Sequence, residues 1–279
     1  MQTATETTLF TELHAQLSQA VVACRADAAT KAVHTLRTTT RRFEGLLHKA
    51  LEDHRGANAL RKTSRKTLRQ LKKVRQLAGT VRDLDVHQKV LKKVLETPTL
   101  ATAEHHALHH DQQQLHHYLA QKRDQAAEFL ASGLAKRELR LERSLERTAA
   151  ALEQLPPSST GPLATARQWV QRSTLRLHEL NAENLHEFRK QTKLARYVSE
   201  MQPPSPTARA FTRSLLAVQD AIGAWHDLEL LHQEAKAVCG KHTALTNLLA
   251  TRAEEALKEA LSKAVAVHQP QPAKNHMSS

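Results

Sequence analysis

The sequence predicts an all-α protein made of two related halves, and three observations carry that expectation. The 279 residues include only 7 Gly and 9 Pro, the two residue types that most weaken helix interiors. Most of the prolines are gathered into short clusters, and the long stretches between them are rich in Leu, Ala and Val at helical spacing. Two blocks of sequence also recur in the same order. Val33-His34-x-x-Arg37-x-x-x-Arg41 is echoed 152 residues later by Leu185-His186-x-x-Arg189-x-x-x-Lys193. Arg65, Arg69, Leu71, Val74, Gly79, Asp83 and Leu84 are echoed 144 residues later by Arg209, Arg213, Leu215, Val218, Gly223, Asp227 and Leu228. Two blocks in register point to internal duplication, and a duplicated helical unit predicts two bundles about a pseudo-two-fold axis.

The strongest punctuation is Pro156-Pro157-Ser158-Ser159-Thr160-Gly161-Pro162, which cannot continue a helix. It divides an N-terminal helical half over 1–155 from a C-terminal half over 163–267, with 156–162 as linker and 268–279 as a polar, frayed tail. Thr97-Pro98 and the segment from Gln202 to Pro206 interrupt each half in turn. Helices are expected at about 6–29, 31–53, 57–79, 82–96, 100–131 and 134–154. The second half is expected to supply about 162–181, 184–201, 206–223, 225–239 and 241–267. The breaks at 79 and 223 rest on Gly79-x-x-Arg82-Asp83 and Gly223-x-x-His226-Asp227, where Gly permits a helix stop and Asp can cap the next helix. The alternative role for Asp83 and Asp227 is to accept hydrogen bonds from Arg or His and so orient a binding site.

Charge narrows the function. A net charge of +13 and a pI near 10 repel themselves on a compact surface, so the expected partner is a polyanion. Cys24 and Cys239 are too few and too distant for a disulfide framework or thiolate metal site. The chain opens without a basic segment leading into an apolar run, and no stretch of 18 apolar residues occurs. These features predict a cytoplasmic protein with no membrane partner.

The cations are patterned. At 100° per residue, His34, Arg37, Thr38, Arg41 and Gly45 share one stripe, while Val33, Leu36, Phe43 and Leu47 form the core face. His186, Arg189, Lys190, Lys193 and Tyr197 repeat the stripe, with Phe188 and Ala195 turned inward. Neither stripe interleaves acids with its bases as a self-neutralising surface helix does. On the next helix Arg61, Lys62, Arg65, Lys66, Arg69, Lys72, Lys73 and Arg75 fall within fifteen residues that contain no acid. Like charges at i,i+4 cost a few tenths of a kcal/mol per pair, about what a bound anion would relieve. The matching helix of the second half keeps only Arg209 and Arg213.

These motifs resemble the CHAD family, the conserved histidine α-helical domain. The resemblance rests on His34-x-x-Arg37-x-x-x-Arg41-Arg42, Gly79-x-x-Arg82-Asp83-Leu84-Asp85-Val86 and His186-x-x-Arg189-Lys190-x-x-Lys193-x-x-Arg196-Tyr197, and it spans residues of about 10–265. It implies two pseudo-symmetric four-helix bundles forming one unit, whose basic faces converge on a groove that binds inorganic polyphosphate, and a cytoplasmic protein able to join polyphosphate granules. Carried over by position, the binding residues would be His34, Arg37, Arg41, Arg42, Lys62, Arg65, Arg69, Lys73, His186, Arg189, Lys190, Lys193, Arg196, Arg209 and Arg213. Thr38 and Ala78 depart from the family pattern, which bears on local packing rather than on charge.

Other classes fit less well. Any basic helix attracts a phosphodiester backbone, so nonspecific nucleic-acid binding at low salt is expected. With nine aromatic residues in all, however, there are few platforms for stacking exposed bases. His105, His106, His109, His110, His116 and His117 include i,i+4 pairs that could chelate a divalent ion, but no H-E-x-x-H pattern accompanies them. They are expected to be surface histidines, and no metal or other cofactor is expected. A Gly-rich phosphate loop is missing, and the basic stripes carry no carboxylates to hold a catalytic cation. A binder rather than an enzyme is therefore expected.

Overall fold

The long stretches between proline clusters become helices with buried apolar faces, in a computed structural model that describes residues 6–95, 102–177 and 179–268; the side chains of residues 95 and 102–106 lie outside that description. The described residues form nine helices and no strand: α1 (Glu6–Ala26), α2 (Thr30–Asp53), α3 (Asn58–Leu95), α4 (Thr102–Ala135), α5 (Glu138–Glu153), α6 (Pro162–Arg176), α7 (Leu185–Ser199), α8 (Pro206–Cys239) and α9 (Ala244–His268). Proline stands in the first turns of α6 and α8, where a missing N–H costs nothing. Ser205 caps α8 by accepting from the Ala208 N–H at 3.1 Å.

Two expectations need correction. Residues 57–79 and 82–96 belong to the single helix α3, and 206–223 and 225–239 to the single helix α8. Gly79 and Gly223 are not helix stops, because among the described residues only Gly240 has a positive φ. Asp83 and Asp227 accordingly cap nothing. The apolar faces on both sides of each glycine are buried, which outweighs the cost of about 1 kcal/mol for an interior Gly.

The first core gathers Phe10 and Leu17 of α1, Phe43 and Leu47 of α2, Leu71 of α3, Leu130 of α4 and Leu145 of α5. Emptying it at Phe43 would cost about 3–5 kcal/mol. Two further clusters hold the second half: Trp169 of α6 against Val198 of α7 and Leu215 of α8, and Phe188 of α7 against Ile222 of α8 and Ala260 of α9. A fourth cluster crosses between the halves. Leu84 and Leu91 of α3 and Leu115 and Leu119 of α4 pack with Leu231 of α8 and Leu249 of α9. The segment 156–162 therefore marks a turn in the chain while the packing continues past it. Even that turn is tied down: the buried Lys49 ammonium donates to Glu6 at 2.9 Å, Asp53 at 2.5 Å and the Ser158 hydroxyl at 3.0 Å.

The two copies of the motif helix, α2 and α7, meet directly. A Cβ on Gly45 would lie 3.2 Å from Val198 Cγ2 and 3.6 Å from Tyr197 Cβ, so the small residue sets how closely the helices approach. Gly45 and Tyr197 are equivalent positions of the repeat, 152 residues apart. This crossing brings the two basic stripes face to face.

Candidate functional site

Helices α2, α3, α7 and α8 enclose a cavity of about 680 Å³. Its walls carry His34, Arg37, Arg41 and Arg42 from α2, Arg75, Arg82, Lys89 and Lys93 from α3, and Arg189, Lys193 and Arg196 from α7. Ten Lys and Arg residues thus face three carboxylates, Glu200, Asp220 and Asp227.

The two glycines explain the shape of the cavity. A Cβ on Gly79 would stand 2.8 Å from Arg37 Nη1, and one on Gly223 would stand 3.0 Å from Arg189 Nη2. Each motif arginine thus crosses a bare patch of the neighbouring helix, and the same pairing occurs in both copies of the repeat. Arg37 also donates to the Arg75 carbonyl at 3.4 Å. The Arg189 Nε–H is buried and has no hydrogen-bond partner, which leaves a charged donor unsatisfied.

Carboxylates brace the surrounding cations. Asp227 is buried and accepts from both Arg82 terminal nitrogens, at 3.1 and 3.5 Å, while Asp83 accepts from Arg82 at 3.0 Å. The orienting role for these aspartates is the one the geometry realises. Glu44 accepts from Arg41 at 2.7 Å and lies 3.1 Å from Arg75 Nη1. Arg196 donates to Gln219 at 2.9 Å and Glu200 at 2.6 Å, and its guanidinium lies 4.2 Å from the Tyr197 ring centroid.

Crowding and burial disfavour charge here. Burial pushes the Lys193 ammonium down to about 7, and Arg189, Arg41, Arg37 and Arg82 push it the same way. Arg37, Arg75 and Arg189 are lowered chiefly by burial, with neighbouring arginines adding to it. His186 and His226, whose ring centroids are 5.4 Å apart, are lowered by burial and then by nearby cations. Arg82 goes the other way: burial opposes its charge, but Asp227 and Asp83 outweigh that and raise it. A bound anion would relieve the cost at each lowered group.

Seven of the residues expected at the site line this cavity: His34, Arg37, Arg41, Arg42, Arg189, Lys193 and Arg196. His186 stands beside His226 outside the lining, and Lys190 pairs with Glu187 at 3.2 Å. Arg209 and Arg213 are exposed on α8 without reaching it. Lys62, Arg69 and Lys73 face a different groove, formed with α5, and Arg65 is exposed beside it. Conversely, Arg75, Arg82, Lys89 and Lys93 line the cavity without having been assigned to it. They sit at i, i+7, i+14 and i+18 of one helix, a stripe that can be read once α3 is unbroken.

Among the described residues no group of three or more His, Cys, Asp or Glu side chains is placed to hold one metal ion. His109, His110, His116 and His117 are exposed, and His109 and His117 contact neighbouring glutamines. The side chains of His105 and His106 fall outside the described residues. No helix described is long and apolar enough to cross a membrane.

An internally repeated, all-α domain with a cation-lined cavity where its two motif helices cross is the class that fold and site define. The chain belongs to the CHAD domain family, whose model matches residues 8–236. The structure resembles the crystal structure of the CHAD domain from the plant Ricinus communis, with a TM-score of 0.67 at 18% identity over 93% of this chain and 90% of that one. It also resembles PptA from Streptomyces chartreusis, with a TM-score of 0.60 at 16% identity over 95% of this chain and 98% of that one. No curated protein matches the sequence.

Proposed function

We propose that the cavity binds a run of phosphates in linear inorganic polyphosphate, and that the protein acts as a cytoplasmic binder that targets or organises polyphosphate granules. Membership in the CHAD family supports the ligand, and the observation that carries it is a single cavity lined by ten Lys and Arg side chains against three carboxylates. Such donors form charge-assisted bonds to phosphate oxygens worth more than neutral ones. Recessed cations also suit a thin, unbranched chain better than a duplex, whose phosphates are backed by sugars and bases. We further propose binding without turnover, because Asp227 and Glu200 are held by Arg82 and Arg196, which leaves Asp220 alone among the cavity's carboxylates to meet a divalent cation.

The test is a titration with long-chain polyphosphate and with duplex DNA at matched phosphate concentration and physiological salt. Wild-type protein is compared with R37A/R41A/R189A/K193A, and released phosphate is assayed in parallel. Tight polyphosphate binding that the variant loses, with weak DNA binding and no phosphate release, is the expected result. Equal binding of both polymers would reduce the protein to a nonspecific cation. Unchanged binding by the variant would move the site elsewhere, and phosphate release proportional to protein would make it an enzyme.

A further inference from the structure

On the far side of α3 lies a second groove, of about 630 Å³, between α3 and α5. Lys62, Lys66, Arg69 and Lys73 form one wall, and Arg140, Arg143 and Arg147 form the other; no acid lines it. We infer that this groove is a second track for linear polyphosphate, so that one protein molecule holds two chain segments at once and bridges them. The inference rests on the ligand proposed for the central cavity.

Helix geometry keeps the two sites apart. From Lys73 to Arg75 the direction turns by about 200° at 100° per residue, so α3 shows one basic face to each site. The walls of the outer groove stand close because small residues pack between them. The Thr67 hydroxyl donates to the Ser144 carbonyl at 2.8 Å and lies 2.9 Å from the Thr148 hydroxyl, with Ser64 buried one turn away. Two acids of α5 are drawn away from its arginines, while Glu146 is exposed and does not line the groove. Glu138 is paired with Arg25 of α1, and Glu142 accepts from His14 or Ser18 of α1 at 2.6 and 3.0 Å. None of the seven cations forms an ion pair with a described residue. The four on α3 span twelve residues, about 16 Å of helix. That is an extended row of charge suited to an extended chain of charge, with no aromatic side chain among the lining residues to stack a base.

Bridging is measured with long-chain polyphosphate on beads and a second, fluorescent long-chain polyphosphate in solution, using the full chain at physiological salt. Wild-type protein is expected to bind the beads and capture the labelled chain. K66A/R69A/R143A/R147A, confirmed as folded by circular dichroism, is expected to bind the beads while capture falls at least tenfold. Its salt dependence should also become shallower as fewer contacts release counterions. Undiminished capture by that variant overturns the second track. A variant that loses capture of labelled duplex DNA but keeps capture of polyphosphate overturns the choice of ligand. Failure of the wild type to bind the beads defeats the central proposal along with this one. Binding kept by R37A/R41A/R189A/K193A and lost by the outer variant removes the ligand from the cavity, leaves the groove as a single track and overturns bridging.

Discussion

The central cavity and the outer groove are built from the same residue types on the two faces of one helix, yet their energetics differ. Outside, Lys66, Arg69, Arg143 and Arg147 are exposed and form no ion pair with a described residue, so water solvates each charge and salt screens it. Inside, Arg37, Arg189 and Lys193 are half-buried, and burial together with their neighbours disfavours their charge. Asp227, Glu44 and Glu200 hold the cations around them in place. Number of charges is therefore a poor guide to what a basic surface does. A desolvated, braced cluster stores unfavourable energy that an anion releases, whereas a solvated row attracts anions at long range and holds them loosely.

The largest effect that would sharpen this contrast is opposite movement of affinity and stability. Replacing Arg37 and Arg189 by Ala removes two donors to the anion, at about 1.5–3 kcal/mol for each charged hydrogen bond lost, so polyphosphate affinity should fall by roughly a hundredfold or more. Without ligand, the same variant should melt at a higher temperature, since two cations whose charged state is disfavoured are gone. The outer pair K66A/R69A should lower affinity by less than about tenfold and leave unfolding free energy within about 0.5 kcal/mol of wild type. Calorimetric titration and thermal unfolding give both numbers. A fall in the unliganded melting temperature of R37A/R189A would mean these arginines brace the fold and are not poised for an anion.

The next effect is pH dependence, which only the inner site should show near neutrality. Lys193, at about 7, gains a proton as pH falls toward 6. Bound phosphate favours the protonated form, so affinity should rise several-fold from pH 8 to pH 6 with proton uptake on binding. For the unliganded fold the sign reverses: above about 7 the native state has released the Lys193 proton while the unfolded chain keeps it until about 10.4. The unfolded state then binds more protons, so Lys193 makes stability rise with pH across that window. Substitution K193M should flatten the rise. Equal affinity at pH 6 and pH 8 would defeat the prediction, as would an unchanged stability profile in K193M.

How much of this could be read from the sequence depends on whether a residue's reason is local. The all-α fold was legible because sparse Gly and Pro and regular apolar spacing act within a few turns. The stripes on α2 and α7 were legible for the same reason, and seven of their residues do face the cavity. Gly79 was misread as a stop because its reason is an Arg37 guanidinium from another helix, and Gly223 stands in the same relation to Arg189. Breaking α3 there hid the continuity of Arg75, Arg82, Lys89 and Lys93. Lys62, Arg69 and Lys73 were grouped with the inner cations by position from the family resemblance, although periodicity alone puts Lys73 and Arg75 on opposite faces.

The smallest effect separates glycines that make room for charge from glycines that make room for packing. In G79A or G223A the new methyl meets only the end of an arginine side chain, at 2.8 Å from Arg37 Nη1 or 3.0 Å from Arg189 Nη2. That end can swing away, and Ala in a helix interior is favoured over Gly by about 1 kcal/mol. Each variant should gain about 0.5–1 kcal/mol of stability while losing several-fold in polyphosphate affinity through the displaced guanidinium. Gly133 of α4 provides the opposite case. A Cβ there would lie 2.7 Å from Leu77 Cδ1 and 3.0 Å from its Cδ2, a contact wedged between packed helices, so G133A should cost about 1–3 kcal/mol by overpacking with unchanged affinity. Urea unfolding and one polyphosphate titration per variant decide the matter. If G79A and G223A lose stability as G133A does, those glycines serve helix packing alone, and the space above them is not reserved for the arginines.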